Sequence, residues 1–348
     1  MVRTSLRASR PERKACGASS ISMSTATAAL TPLGNRIRCN LHSVDEITDP
    51  GTINQMAADA AAAGHQVTIR LIRDWTEAGL LDYPQHRPAG KGRGSRQALY
   101  PANQRNLFLT LLHHRSGNGI SSLARIPVGI WMYWGDGYVP VRQVRRAMDT
   151  WIGDPRASLR RARETAREMA RQLDSPAATP AARHELREAL ADLAYTGRAD
   201  LERLERAVTD VFDAGFRTLH RAVGHPAAPA MTDSVIMLLK ARLKAVDLLK
   251  TGQVTDQDFY AARHSHQVAY AEYAAQQRFL ALHAPAGNPG MYEPVTAENA
   301  LNACCGHLLT TIGLASLYPE RASQINAMPA LPGRPWRSIT LPGHASRP

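Results

Sequence analysis

The chain is poor in cysteine and has no long apolar run, and both absences narrow the class of protein. Four cysteines among 348 residues are too few for a disulfide framework, and two of them, Cys304 and Cys305, are adjacent. No apolar run approaches the roughly eighteen residues that a membrane helix needs. The basic N-terminus lacks the apolar centre of a secretory signal. We therefore expect a soluble protein of a reducing cytoplasm, without a membrane partner.

Sequence motifs of catalysis are also missing. The chain contains no Gly-x-Ser-x-Gly, P-loop, His-Glu-x-x-His or dinucleotide-binding pattern. Residues 304–307 (Cys-Cys-Gly-His) suggest a metal, but zinc sites usually have two spaced pairs of ligands. His264 and His266 are two residues apart, so they face different sides of a helix and chelate poorly. We predict a non-enzyme without metal or cofactor, and we interpret the two adjacent cysteines as buried residues of an apolar helix.

The excess of positive charge lies mostly at the two ends of the chain. The formal net charge is +12, of which residues 1–40 contribute +6 and residues 326–348 contribute +3. Residues 41–325 therefore carry only +3. Because the distribution of charge matters more than its sum, the high isoelectric point does not by itself indicate a nucleic-acid partner.

Helix signals dominate the chain from residue 52 onward, so the predicted fold class is mainly α. Residues 52–55 (Thr-Ile-Asn-Gln) form a capping box before an alanine-rich helix that ends at Gly64. Thr68 is a suitable N-cap for a second helix, which ends at Gly79. A third helix is expected over 103–115, and a short one from Ser121 to Pro127. The later candidate helices are 155–173, 180–196, 199–223, 231–251, 255–283 and 296–317.

A basic hairpin is predicted between the second and third helices. Residues 90–96 (Gly-Lys-Gly-Arg-Gly-Ser-Arg) mark the tip of a loop, and residues 98–100 return from it. Two short helices with a tight turn, a hairpin and a third helix are typical of a winged helix-turn-helix. The chain is therefore expected to have an N-terminal winged helix-turn-helix followed by an α-helical domain.

The second helix and the hairpin carry the candidate DNA contacts. Ile69, Ile72 and Thr76 share one face of that helix, with Trp75 beside them, and are expected to pack on the first helix. Arginine can pair with guanine or hold a phosphate, and residues 67–96 alone carry a net charge of +3. The predicted DNA-binding residues on these grounds are Thr68, Arg70, Leu71, Arg73, Lys91, Arg93 and Arg96.

Residues 67–81 resemble the recognition helix of the MerR-type transcriptional regulators, whose pattern is roughly Val-Ser-x-x-Thr-Leu/Ile-Arg-Tyr-Tyr-Glu-x-x-Gly-Leu-Leu. The direct matches are Val67, Ile72, Arg73, Gly79, Leu80 and Leu81. Residues 94–96 with Tyr100 are similar to the Gly-Tyr-Arg-x-Tyr of that family's wing, although Tyr100 stands four residues after the arginine instead of two. Residues 119–123 resemble the Gly-Phe-Ser turn that follows the third helix of the family.

The resemblance implies roles for individual residues. Arg73 and Arg96 would hold phosphates, and Thr68 with Arg70 would approach the bases. Tyr100 joins the predicted DNA-binding set as the tyrosine of the wing. The family also implies double-stranded DNA as the partner and a homodimer as the assembly. A small-molecule effector is compatible with the family but has no supporting residues in this sequence.

The expected organisation has five parts. They are a disordered basic segment (1–48), a MerR-like winged helix-turn-helix DNA-binding domain (49–126), an aromatic connector (127–154), an α-helical dimerisation or regulatory domain (155–320) and a flexible tail (321–348). Translation could start at Met1 or at Met23. A transcriptional regulator is the first hypothesis, and a mobile-element DNA-binding scaffold, excisionase-like or accessory to replication, is the alternative.

Two further patterns have competing interpretations. The seam Leu159, Ala162, Ala166, Met169 and Leu173, flanked by arginines, fits either a dimer helix that also meets phosphate or an ordinary amphipathic helix. We favour the ordinary helix. The aromatic residues of 127–151 fit either an effector pocket or buried packing, and we favour packing.

Overall fold

The structure is a computed structural model that describes residues 47–88, 95–116, 118–153, 158–172, 178–196, 200–212, 220–221, 229–230, 232–282 and 297–326. The described residues are mainly helical, as predicted. The helices are α1 Ile53–Ala62, α2 Ile69–Glu77, α3 Ala102–His114, α4 Ile120–Trp134, α5 Val141–Ile152, α6 Leu159–Gln172, α7 Pro180–Thr196, α8 Leu201–Phe212, α9 Thr232–Lys250, α10 Asp256–Leu282, α11 Ala297–Leu317 and α12 Pro319–Asn326. The strands are β1 Gln85–Pro88, β2 Ser95–Leu99, β3 His220–Arg221 and β4 Pro229–Ala230.

The local signals at the ends of α1 and α2 are confirmed. The Thr52 side chain accepts a hydrogen bond from the backbone N–H of Gln55, whose side chain accepts one from the N–H of Thr52. The Thr68 side chain caps α2 by accepting a hydrogen bond from the backbone N–H of Leu71. Gly64 and Gly79 follow the two helices with φ values of +83° and +73°, a left-handed conformation that favours glycine.

The β1–β2 hairpin is present and is tied to the segment before α1. The two strands are antiparallel, with Arg87 opposite Arg96. Just after β2, Tyr100 and Gly51 exchange two backbone hydrogen bonds of 2.7 and 2.9 Å. The hairpin base is therefore joined to the beginning of α1, which places it beside α2 and α3.

The prediction that a short helix ends at Pro127 is wrong. Helix α4 continues through this proline to Trp134, and α5 makes most of the remaining aromatic connector helical. Proline in a helix interior removes one backbone hydrogen bond, a local penalty. Burial of Val128, Ile130 and Trp131 offsets that penalty, since tertiary packing supplies most helical stability.

The later helices agree with the sequence pattern except at some ends. Helix α7 has the predicted bounds, whereas the described part of the helix expected over 199–223 ends at Phe212, and residues 220–221 form β3. Helix α12 occupies the start of the segment expected to be a flexible tail. Residues 1–46, 327–348 and the hairpin tip 89–94 lie outside the described residues.

One large cluster of buried side chains runs from α1 to α11, and a smaller one joins α6, α7, α8 and α9. In the large cluster Trp131 meets Phe259 edge-on, with ring centroids 6.1 Å apart. The packing interpretation of the aromatic segment is therefore confirmed for Trp131. Ala162 and Ala166 of the predicted seam are buried within the chain itself, where α6 packs against α7. In the part of the chain that the structure describes, no helix combines the length and apolarity needed to cross a bilayer.

Candidate nucleic-acid interface

Helix α2 has one buried face and one exposed face. Ile72, Trp75 and Thr76 are buried, and the Trp75 ring lies edge-on to Phe108 of α3 with centroids 5.6 Å apart. The Thr76 hydroxyl donates to the carbonyl oxygen of Ile72 at 2.8 Å, which satisfies it without water. These contacts fix the rotation of α2 about its own axis and thus decide which side chains face solvent.

The exposed face of α2 carries two arginines. The Arg70 side chain is 89% exposed, and Arg73 is also exposed. Arg70 lies 3.8 Å from Asp74, an exposed ion pair of one helical turn that contributes well under about 1 kcal/mol. Both guanidinium groups are therefore available to an anionic partner at little energetic cost.

Thr68 stands at the N-terminus of this face. Its Oγ1 accepts a hydrogen bond from the backbone N–H of Leu71 at 3.2 Å, while the side chain stays exposed. The hydroxyl proton is not used in that bond. The residue predicted to approach DNA beside a helix N-terminus thus keeps a free donor, because a hydroxyl can accept and donate at once.

Ile69 and Leu71 are placed the other way round from the prediction. Ile69, expected in the buried face, is 37% exposed. Leu71, expected toward the groove, is half-buried and packs against the large core cluster. The reason is the direction in which α1 and α3 cover α2, which the 3.6-residue period alone does not specify.

The assignment of Tyr100 to the DNA contacts is corrected, because the structure buries this side chain. Tyr100 is 3% exposed, and its hydroxyl lies 3.1 Å from Oγ1 of Thr76. Since the Thr76 hydroxyl already donates to Ile72, the Tyr100 hydroxyl is the donor in this pair. Burial raises the pKa of Tyr100 and keeps that proton in place. The side chain thus holds the hairpin base against α2.

The hairpin residues of the predicted site are described only in part. Lys91 and Arg93 lie outside the described residues. Arg96 lies on β2, opposite Arg87 of β1. The structure thus places two arginines at paired positions of the hairpin, one of which the sequence had singled out.

A cluster of polar contacts from α5, missed in the sequence, supports the end of α2. Arg146 donates to the carbonyl oxygen of Thr76 at 2.6 Å and to Asp82 at 3.2 Å, and its guanidinium lies 4.0 Å from the centre of the Tyr83 ring. Arg142 donates to the same Asp82 carboxylate at 2.5 Å. The spacing of four residues between the two arginines was the available sequence signal, since it puts both on one face of a helix.

Two buried glutamines extend this support to α3. The side-chain oxygen of Gln104 accepts from the backbone N–H of Asp82 at 2.8 Å, and its amide donates to Gln143 at 3.0 Å. Gln143 in turn donates to the carbonyl oxygen of Leu80 at 2.9 Å. Polar groups so deeply buried are stable only when paired, so the network sets one geometry for the turn after α2.

The helical region contains a second polar cluster, which the sequence analysis also missed. His266 of α10 lies between Tyr133 of α4 and His307 of α11. Its Nε2 is 3.0 Å from the Tyr133 hydroxyl, and its Nδ1 is 2.7 Å from Nδ1 of His307. Cys304 and Cys305 are buried beside this cluster, as predicted, and burial raises the pKa of Cys305 well above its ordinary value. Within the described ranges, no three His, Cys, Asp or Glu side chains are arranged to hold a metal ion.

Comparisons with known proteins give no guide to function. No protein-family model, no curated protein and no solved structure matches the chain. The exposed arginine face of α2, with the contacts that fix its orientation, therefore carries the functional inference. Its chemistry suits a polyanion, because guanidinium groups bind phosphate through charge and paired hydrogen bonds.

Proposed function

We propose that residues 51–115 form a winged helix-turn-helix that binds double-stranded DNA, and that the protein is a transcriptional regulator without catalytic activity. The observation that carries the proposal is the exposure of Arg70 and Arg73 on a helix whose opposite face is buried. A recognition helix needs basic side chains that face solvent and a fixed orientation about its own axis, so that the same side chains enter the DNA groove.

The dimensions of α2 suit the major groove. Nine residues span about 14 Å at 1.5 Å per residue, and a helix about 10–12 Å wide fits a groove about 12 Å wide. The N-terminal residues of a recognition helix approach the base edges most closely. We therefore assign Thr68 and Arg70 to contacts with the bases or close to them. Arg73, which lies nearer the middle of the helix, is assigned to a phosphate.

The acidic residues of α2 indicate which end of the helix would enter the groove. Asp74 and Glu77 are exposed toward its C-terminal half, where they would repel a phosphate strand. The N-terminal half carries Arg70 without an acid in its first turn. This asymmetry favours entry into the groove by the N-terminal end and fixes the direction of the helix.

The β1–β2 hairpin is assigned to the phosphate backbone beside the groove. The residues proposed for this contact are Arg96, from its position on β2, and Lys91 and Arg93, from the sequence of the hairpin tip. A homodimer would bring two copies of α2 to successive major grooves, about 34 Å apart on the DNA axis. The remaining helices would then serve dimerisation or regulation.

The proposal is tested by the affinity of the full chain for duplex DNA as a function of salt. Arg73→Ala is expected to reduce the slope of log affinity against log salt concentration by about one unit, the loss of one phosphate contact. Arg187→Ala removes an arginine that is also exposed, from α7, and serves as the matched control. Equal slopes for wild type and the pair Arg73→Ala and Arg96→Ala would contradict the assignment.

The preference among DNA sequences separates a regulator from a general scaffold. A regulator is expected to favour its own site over random duplex by about 4–10 kcal/mol. Selection from a random library of duplexes measures this preference directly. A flat distribution of selected sequences would support the alternative of a mobile-element scaffold that binds DNA without reading it.

A further inference from the structure

Helix α6 exposes a row of arginines that the structure leaves facing solvent. Arg160, Arg163 and Arg167 follow one another at spacings of three and four residues, so they share one face of the helix. All three are exposed, whereas Ala162 and Ala166 on the opposite face are buried. We call these three residues the α6 arginine face.

The charge of this face is compensated at only one of its three arginines. Arg160 lies 3.5 Å from Glu164, and their side chains are 86% and 55% exposed, so the pair contributes little. Arg163 and Arg167 have no carboxylate within ion-pair distance among the described residues. The face therefore retains most of its positive charge for an external partner.

Two basic residues of the neighbouring helices α8 and α9 form ion pairs with carboxylates. Arg203 of α8 donates to Glu185 of α7 at 2.7 Å and to Asp192 at 2.5 Å. Lys240 of α9 forms an ion pair with Glu205 of α8. Acidic groups of the same helical cluster, Glu185, Asp192 and Glu205, are thus engaged with other basic residues and not with the α6 arginine face.

The spacing of the α6 arginine face matches a phosphate backbone. From Arg160 to Arg167 the helix rises about 10 Å, and one DNA strand places a phosphate every 3.4 Å or so along its axis. Three arginines thus span about three phosphates. The residues are all arginine, which binds phosphate through two parallel hydrogen bonds, and none is lysine.

The chain also limits how far the start of α6 lies from the end of α2. Thr150, near the end of α5, donates to the carbonyl oxygen of Ala78 at 2.7 Å, directly after α2. Leu159 begins α6 nine residues later, so the chain limits the distance between them to about 30 Å. That limit is shorter than one helical turn of DNA, about 34 Å.

We propose that the α6 arginine face is a second contact surface for the phosphate backbone of the duplex that α2 binds. The contact adds affinity without sequence preference, because phosphates are the same at every base pair. This inference rests on the proposed function. Its loss is expected to weaken binding to all duplexes alike and to leave the selected sequence unchanged.

The test measures the salt dependence of binding to a random 30-base-pair duplex by fluorescence anisotropy. The variant replaces Arg160, Arg163 and Arg167 by glutamine, which keeps helix propensity and removes three charges. The control replaces three exposed arginines on other helices by glutamine and changes the net charge equally. These control residues are Arg187, Arg206 and Arg278. Far-ultraviolet circular dichroism checks that both variants keep their helix content.

The expected result is a slope smaller by about 2–3 units for the α6 variant and nearly unchanged for the control. Equal slopes for the two variants, with wild-type DNA binding intact, would overturn this inference and leave the proposed function standing. No salt-dependent binding by the wild-type chain would overturn both. A reduced slope in the α6 variant, with Arg73→Ala unchanged, would support the α6 contact and contradict the assignment of α2.

Discussion

Gly79 and Ala147 approach each other backbone to backbone. A Cβ atom built on Gly79 would lie 2.4 Å from the backbone nitrogen of Ala147 and 2.5 Å from Cβ of Arg146. The turn after α2 is therefore pressed directly against α5, with no space for a side chain. This contact and the polar network around Asp82 place α5 as the support of the proposed recognition helix.

Gly79→Ala is expected to destabilise the fold by about 2–5 kcal/mol. The substitution adds the strain of a positive φ, about 1–2 kcal/mol, to the clash with α5. Gly64→Ala is the matched control, since φ there is +83° and a Cβ would meet nothing within 4 Å. Urea denaturation measures both. Equal losses for the two variants would show that α5 does not press on Gly79.

Arg146 is expected to matter more for stability than Arg142. Both contact Asp82, but the Arg146 side chain is 20% exposed and also bonds to Thr76, whereas that of Arg142 is 66% exposed. Arg146→Ala is expected to lower the free energy of unfolding by about 1.5–3 kcal/mol, the range of hydrogen bonds to charged groups. Arg142→Ala is expected to lower it by about 1 kcal/mol or less. The reverse order in denaturant unfolding would contradict this account of the network.

Tyr100→Phe is expected to reduce stability by about 1 kcal/mol and to leave DNA affinity unchanged, because it removes one buried hydrogen bond. A double-mutant cycle with Thr76→Val isolates the bond between the two hydroxyls. A loss of DNA affinity in Tyr100→Phe, with stability unchanged, would restore the sequence-based assignment of this residue to the DNA contacts.

The raised pKa of Tyr100 also predicts a pH dependence. Burial raises this pKa above the ordinary value of 10.0, so the folded state binds the phenolic proton more tightly than the unfolded state. The contribution is complete below pH 10 and is lost as the pH rises further. The free energy of unfolding is therefore expected to fall less between pH 9.5 and 11 in Tyr100→Phe than in wild type. Parallel profiles of the two proteins would contradict this.

Cys304 and Cys305 are expected to resist thiol reagents until the protein unfolds. Both are buried, and burial raises the pKa of Cys305, which disfavours the reactive thiolate. The measurement uses Ellman's reagent on a variant in which Cys16 and Cys39 are replaced by serine, so that only this pair reacts. Labelling at the rate of a free thiol in native buffer would refute the buried placement.

Much of the fold is determined by local sequence signals. The capping box at Thr52, the N-cap at Thr68 and the glycines after α1 and α2 fix helix ends through bonds within a few residues. Helix α7 likewise begins at Pro180, directly after Thr179, whose hydroxyl accepts a hydrogen bond from the backbone N–H of Ala182. The exposure of Arg70 and Arg73 was predictable too, since their spacing places them away from Ile72.

What the tertiary structure decided depends on residues far apart in the chain. Because α2 packs against α1 and α3, Ile69 is exposed and Leu71 is half-buried. Because Trp131 is buried, α4 continues past Pro127. No period in the sequence shows which neighbouring element will cover a given side of a helix. That choice rests on the sum of many packing contacts.

The same dependence explains the residues that the sequence analysis missed. Arg146 and Asp82 are 64 residues apart, and His266 and His307 are 41 apart, so neither pair has a local pattern. The sequence by itself determined that α2 begins at a threonine cap, ends at Gly79 and bears arginines. Only the tertiary structure decided how the helix is held, because α5 packs against that glycine, and where its exposed face ends, because Ile69 is left exposed and Leu71 is half-buried.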